Sequence, residues 1–293
     1  MKFTQFLIER ISMSHYNDVI EDGVIECCKQ IVDSIKSVKK QISPDAHNSA
    51  DGGNLNKLVN EVSELMLPKC NSIFRIGMAR HINNNIPEVK KQVIVFFKPI
   101  DPNNGLADGY TITINTKFVN NIVKTLVRFI ANIAAREEDK LNTFFSVTGD
   151  DIEDRFDISQ IPALEEMTQV FVHELVHVVQ HLKQSHRSTT EYRSYLTNDK
   201  KRFDDAIASS SDEDAHLYYA SPQEIPAFAH DIVSNILRDM RGKKISRDDI
   251  QYAVRDRVGS MFPNRTDPKV KKVYNKYLKL VYQELMDNLG KQS

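Results

Sequence analysis

The sequence predicts an α+β fold that is predominantly helical, with a small antiparallel or mixed sheet and extra helices at both ends. Three observations carry this. Helix-period apolar spacing dominates residues 3–41 and 55–66. Two β-type runs, QVIVFF (92–97) and GYTITINTKF (109–118), lie close together. Long apolar stripes return after 119 and continue to 289.

Taken in order, Phe3, Phe6, Leu7 and Ile11, then Val24, Ile25, Ile31, Ile35 and Val38, fall at helical spacing. SPDAHNSADGGN (43–54) has the composition of a loop. Leu55, Leu58, Val59, Val62, Leu65 and Met66 trace one helical face, which Pro68 is expected to end. Residues 1–90 thus read as an N-terminal helical lobe. QVIVFF closes at Pro99 and the turn-rich DPNNGLADG. In GYTITINTKF, Tyr110, Ile112 and Ile114 alternate with Thr111, Thr113 and Asn115, as in a half-buried strand. The two strands are expected to pair antiparallel.

A helix over 119–136 presents Ile122, Val123, Leu126, Ile130 and Ile133 on one side. NTFFSV (142–147) suggests a further strand, and GDDIEDRFD (149–157) an exposed loop. From Pro162 a helix runs to about Lys183. Residues 184–214 are polar and irregular, and a helix starts near Pro222–Pro226. DPKVKKVYNKYLKLVYQELMDNL (267–289) forms a final amphipathic helix. The implied organisation is a helical lobe (1–90), a central core with the sheet (91–240) and C-terminal helices (241–293) packing on that core.

Composition restricts function only loosely. The formal net charge is −1, which names no polyanionic partner. The first twenty residues lack a run that would serve as a signal peptide, and no apolar stretch reaches about 18 residues. Together these suggest a cytoplasmic protein with no membrane contact. Cys27, Cys28 and Cys70 are odd in number, two of them adjacent, which argues against a disulfide framework and for inert thiols.

The informative segment is FVHELVHVVQH (171–181). His173 and His177, four apart on a helix, share one face and can converge on one metal ion at about 2.0–2.1 Å. Glu174, rotated by about 100°, reaches a water held by that ion rather than the ion itself. Val170, Phe171, Val172, Leu175, Val176, Val178, Val179 and Leu182 make the helix apolar on nearly every side. Three ionisable groups in such a helix are costly to bury without partners. Zn2+ is the expected ion, because a catalytic zinc takes three protein ligands and keeps one position open.

His181 is a poor third ligand. On a continuing helix it lies about 12 Å along the axis from His173, too far for one ion. Glu224, in YYASPQEIPAFAHDIV (218–233), is the better candidate. On a helix starting there, Glu224, Ala227, Phe228 and Asp231 share one face, while Ile225, Ala229, Ile232 and Ile236 form the core stripe. The competing reading makes Ser221–Glu224 a capping box and Glu224 a local cap. Pro226 weakens it, because a helix begun at Ser221 would need the N–H that Pro226 lacks.

HELVH followed at a distance by EIPAFA resembles the gluzincin arrangement of zinc metallopeptidases, in which two histidines and a distal glutamate hold zinc. VFVHELVHVV is similar to the extended form of that motif, and its combination with the tyrosine-rich YY..P.E stretch (218–224) and the Lys- and Tyr-rich last helix is similar to phage-borne metallopeptidase-like proteins. The resemblance covers 109–118 and 165–237. It implies a zincin-like core, a protein or peptide substrate, and Glu174 as the general base. A viral protein of this type would act in the host cytoplasm or the virion. The resemblance also implies that GYTITINTKF is an edge strand, whose backbone at 110–116 holds the substrate by strand addition. The spacer from His177 to Glu224 is long, and no Glu-x-x-x-Asp follows. Asp231, seven residues past Glu224, either orients a ligand histidine or faces solvent. The oxyanion-stabilising group falls among Tyr218, Tyr219, His216 and His230, with Tyr219 taken as the catalytic candidate.

The rival reading is a zinc-binding interaction protein without proteolytic activity. Residues 238–279 hold thirteen Lys and Arg against five Asp, and this basic stretch suggests contact with nucleic acid. A salt-dependent affinity for DNA is its expected mark, and no binding at low salt would rule it out. Oligomeric state has no signature in the sequence.

Overall fold

The computed structural model describes residues 13–100, 105–153, 162–184, 219, 224–240, 243 and 246–289. Their contacts divide them into two compact units, His15–Val172 and the residues from His173 onward. The fold is α+β and predominantly helical, with one three-stranded mixed sheet.

In the first unit, α1 (Met13–Ile35) ends in a 3-10 turn over Lys36–Gln41. Val24, Cys27, Cys28, Ile31 and Val32 of α1 are buried, as the helical spacing requires. The stretch expected as a loop at 43–54 instead contains α2 (Pro44–Asp51). Ser43 caps it by accepting from the Ala46 N–H, and Pro44 occupies the first turn, where its missing N–H costs nothing. Polar composition concealed a helix whose buried residues are two alanines, Ala46 and Ala50.

The helix expected to stop at Pro68 continues: α3 spans Asn56–Asn85. Pro68 is exposed, as is Glu64, whose carbonyl loses its helical partner, so water can take that hydrogen bond. Leu58, Val59, Val62, Met66, Cys70, Phe74, Met78 and Ile82 are all buried, and this uninterrupted core stripe outweighs the local break. Pro68→Ala is therefore expected to raise stability by about 1–2 kcal/mol, since Pro is about 3 kcal/mol worse than Ala in a helix and its unfolded-state benefit offsets part of that. Urea denaturation measures the change; an unchanged or lower midpoint would contradict it.

The strands are β1 (Ile94–Lys98), β2 (Gly105–Asp108) and β3 (Thr111–Asn115), in the order β1-β3-β2. Two expectations change here. First, β1 and β3 pair parallel, Ile94 with Thr111 through Lys98 with Asn115. The Asp108–Gly109 turn signal belongs to a β2–β3 hairpin hidden in the turn-rich segment. That hairpin has a two-residue loop, with Gly109 leading at φ +59°. Second, β3 is not an edge strand. β1 and β2 occupy both of its sides, so its backbone cannot add a peptide at 111–114.

The side chains of Val95, Ile112 and Ile114 are buried, and β1 packs on α3. α4 (Lys117–Ala134) follows as expected and makes the unit's most extensive helix contact, with α3. The N-terminal helices and the sheet thus share one core.

The expected strand at 142–147 is a helix, α5 (Lys140–Ser146), started by Asp139 accepting from the Asn142 N–H. Adjacent Phe144 and Phe145 are both buried, which an alternating strand with one solvated face would not achieve. The expected exposed loop at 149–157 begins as α6 (Gly149–Glu153), which buries Ile152; the Gly149 N–H donates to Asp33 Oδ1 at 2.8 Å. The remainder of that segment, residues 3–12, and residues 185–223 other than Tyr219 lie outside the described residues. The three thiols are buried. Burial pushes Cys27 and Cys70 up to about 12 and Cys28 well above the ordinary thiol range, which makes them inert.

α7 (Pro162–Gln184) matches the expected helix at both ends, and the division between the units falls within it. Its first half is anchored by a ring series: Phe97 of β1 lies 5.8 Å from Phe74 of α3 and 6.0 Å from Phe171 of α7.

The second unit contains the rest of α7, then α8 (Glu224–Met240), α9 (Arg247–Met261) and α10 (Pro268–Leu289). Ile225, Ala229, Ile232, Val233 and Ile236 of α8 enter one core with Ile250, Val254, Val258, Phe262, Tyr277, Val281 and Leu285. A capping box, Ser246 with Asp249, starts α9. Among the described residues no helix is long and apolar enough to cross a membrane.

Candidate metal centre

From Phe171 to Leu182 α7 is buried except along one line. Phe171, Val172, Glu174, Leu175, Val176, Val178, Val179 and Leu182 are buried, whereas His173, His177, Gln180 and His181 are partly open. The expected burial holds, and the helix opens only on the histidine side. The imidazoles of His173 and His177 lie 5.0 Å apart, ring centre to ring centre, one helical turn above the other.

Glu224 joins them. As the first residue of α8 it sits where the helix dipole favours an anion, and Pro226 falls within the first turn, where its missing N–H has no helical acceptor to lose. Its Oε2 is 3.5 Å from His177 Nε2 and 3.7 Å from His173 Nε2, and the three ligand atoms all lie within 4.8 Å of one another. The ligands of a tetrahedral ion bound at about 2.0–2.1 Å stand about 3.3–3.4 Å apart, so both histidine–carboxylate distances fit. Glu224 Oε2 is buried with no hydrogen-bond partner, as expected of an oxygen reserved for a cation. The trio can hold a metal ion. Its side chains are 14–16 % exposed.

The electrostatics favour positive charge at this point. Burial raises the Glu224 pKa, but the two imidazoles outweigh it and hold the carboxyl at about 2. Burial likewise opposes a charge on His173, yet the Asp231 and Glu224 carboxylates push its pKa up to about 10. Glu174 is 7 % exposed. Burial raises its pKa, His173 and His177 work against that, and Glu224 and Asp231 reinforce it. It adjoins the trio without being one of the ligating group.

Asp231 faces His173 rather than solvent alone. Its Oδ2 accepts from His173 Nδ1 at 2.9 Å, which keeps a proton on Nδ1 and turns Nε2 toward Glu224, where an ion would displace the second proton. Replacing Asp231 by Asn is expected to weaken metal affinity about 10–100-fold, the usual effect of removing such a carboxylate. Chelator competition measures this, and an unchanged affinity would return Asp231 to a surface role.

Phe228 is the contact that sequence reasoning did not assign. One turn after Glu224, its ring lies 5.0 Å from that of His173, edge to face. The i, i+4, i+7 spacing of Glu224, Phe228 and Asp231 was the available signal.

Other candidates fall elsewhere. His181 is not in the ligating group. Tyr219 stacks its ring on Phe228 at 5.0 Å and on Phe262 at 6.0 Å. His230 is buried in the core with Glu284. Tyr218 and His216 lie outside the described residues. In the basic stretch, Arg257 and Arg238 pair with Asp239, and Arg247 reaches the Tyr282 hydroxyl. Lys272, Lys276 and Lys279 follow one another on a single side of α10, turned away from Tyr277 and Val281.

No family model, curated protein or solved structure matches this chain, so its function is read from the geometry alone.

Proposed function

We propose that this protein is a zinc-dependent metallopeptidase that hydrolyses peptide bonds in a protein substrate. The observation that carries the reading is the combination of the His173–His177–Glu224 trio with a buried carboxylate, Glu174, on the turn between the two histidines. Two imidazoles and one carboxylate form a set that catalytic zinc uses, and they leave a position free.

A bound zinc ion would acidify a water molecule and polarise a substrate carbonyl. The chain's own groups supply the remainder. Asp231 holds His173 in the ligating tautomer. Glu174 accepts the proton of the attacking water and passes it to the leaving amine. Burial raises its pKa, which makes it a stronger base toward that proton than an exposed carboxylate. Tyr219 is the proposed oxyanion partner; its ring lies 5.0 Å from that of Phe228, which in turn meets His173. Substrate alignment falls to groups other than the β3 backbone, which is fully paired over Thr111–Ile114.

Metal analysis combined with cleavage of a peptide library, run on wild type, Glu174→Gln and Glu224→Ala together, tests the reading. One zinc per chain and cleavage lost in both variants are expected. Stoichiometric zinc without cleavage of any peptide would favour the non-proteolytic binding protein instead.

A further inference from the structure

Glu224 is separated from His177 by forty-six residues of chain, so neither α7 nor a local turn can place it. Its placement must come from what holds the first two turns of α8. Those turns point Glu224, Phe228 and Asp231 toward the histidines, and their opposite side enters a core shared with α10.

Two polar ties run from α10 to this region. The buried Tyr277 hydroxyl donates to the Tyr219 carbonyl at 3.0 Å, five residues before Glu224. Six residues after Glu224, His230 is 2 % exposed and its Nδ1 donates to Glu284 Oε1 at 2.8 Å. His230 Nε2 lies 3.3 Å from the Ser234 hydroxyl, so both ring nitrogens have a hydrogen-bond partner. The ties lie on either side of the ligand. A ring series runs parallel to them: Tyr277 on Phe262 at 5.3 Å, Phe262 on Tyr219 at 6.0 Å, Tyr219 on Phe228 at 5.0 Å, and Phe228 on His173 at 5.0 Å.

We infer that α10 sets the position of the third metal ligand, with Tyr277 and Glu284 as its positioning residues. Neither touches the trio. Tyr277 fixes the chain entering α8, and Glu284 fixes α8 one residue before Asp231. A hydrophobic core alone constrains a helix weakly in rotation and translation along its axis, whereas two directional hydrogen bonds, one five residues before Glu224 and one six residues after it, constrain both. Because the metal trio closes between α7 and α8, a shift of about 1 Å in α8 would spoil it.

The inference rests on the metal-site reading, and the test separates the two. Zinc affinity of the full chain is measured by competition with a chromogenic chelator, alongside melting of the metal-free chain. The variants are Tyr277→Phe, Glu284→Leu, Glu284→Gln and Val258→Ala. Tyr277→Phe removes only the hydroxyl, so it preserves packing even if Glu284→Leu fails to fold. Tyr277→Phe and Glu284→Leu are expected to weaken zinc binding about tenfold, the lower end for groups that act through a ligand's neighbour. Glu284→Gln can still accept from His230 and should bind nearly as wild type does. Val258→Ala, which opens a cavity in the same core, should melt earlier with zinc affinity unchanged. Wild-type affinity in Tyr277→Phe, or an equal loss in Val258→Ala, would overturn the positioning role while leaving the site intact. A wild type that binds no zinc would remove the metal-site reading and this inference together.

Discussion

Glu174→Gln is expected to bind one zinc per chain with wild-type affinity and to lose peptide cleavage by about 10²–10⁴-fold, the range that general acid–base catalysis contributes. The two effects separate because Glu174 lies outside the ligating trio. Gln keeps the volume and the hydrogen-bonding oxygen of Glu but cannot take a proton. Glu174 is only 7 % exposed, which leaves little room beside it for a solvent base to substitute. Removing a buried carboxylate whose burial disfavours its charge should leave the metal-free fold as stable or slightly more so. Loss of zinc from this variant, or full turnover, would sink the catalytic assignment.

The site was more legible in the sequence than the sheet, and the reason is physical. A helix places residues by a fixed 3.6-residue period, so His173, Glu174 and His177 declare their geometry without reference to any other segment. The same period put Glu224, Phe228 and Asp231 on one face of α8. The capping reading for Glu224 competed only because a short Ser-x-x-Glu pattern is ambiguous without knowledge of what faces it. Strand pairing has no such local rule. The run 92–97 and the run 109–118 both read correctly as strands, but partner and direction depended on GLAD at 105–108, four residues too short to declare themselves. Once that strand pairs with β3, the parallel arrangement of β1 follows, and β3 loses the edge position that the resemblance gave it.

The helical errors share a different cause. Pro68, the Ser43–Asp51 segment and the paired phenylalanines at 144–145 were read by local composition, and in each the core overruled it. For Pro68 the deciding residues lay a turn or more away: Cys70, Phe74, Met78 and Ile82 extend the same buried stripe. The start of α9, in contrast, was available as Ser246-x-x-Asp249 and passed unnoticed within a stretch read for its charge.

Glu224→Ala carries the largest expected effect on metal binding. It deletes one of three ligands and the only charged one, so zinc affinity should fall by more than the roughly 100-fold that changes to a ligand's partners cause. Thermal melting makes the loss visible. Zinc at about 100 times its dissociation constant stabilises a folded chain by about 2.7 kcal/mol, and Glu224→Ala should lose nearly all of that increment. The capping reading predicts the reverse. A local cap contributes about 1 kcal/mol to the metal-free chain and nothing to the metal, so the variant would melt earlier without zinc and gain as much from zinc as wild type does. The geometry favours the first outcome, because Glu224 Oε2 has no hydrogen-bond partner and sits 3.5 and 3.7 Å from the two imidazole nitrogens. In a Ser221–Glu224 capping box the carboxylate would instead accept from the Ser221 N–H at the N-cap.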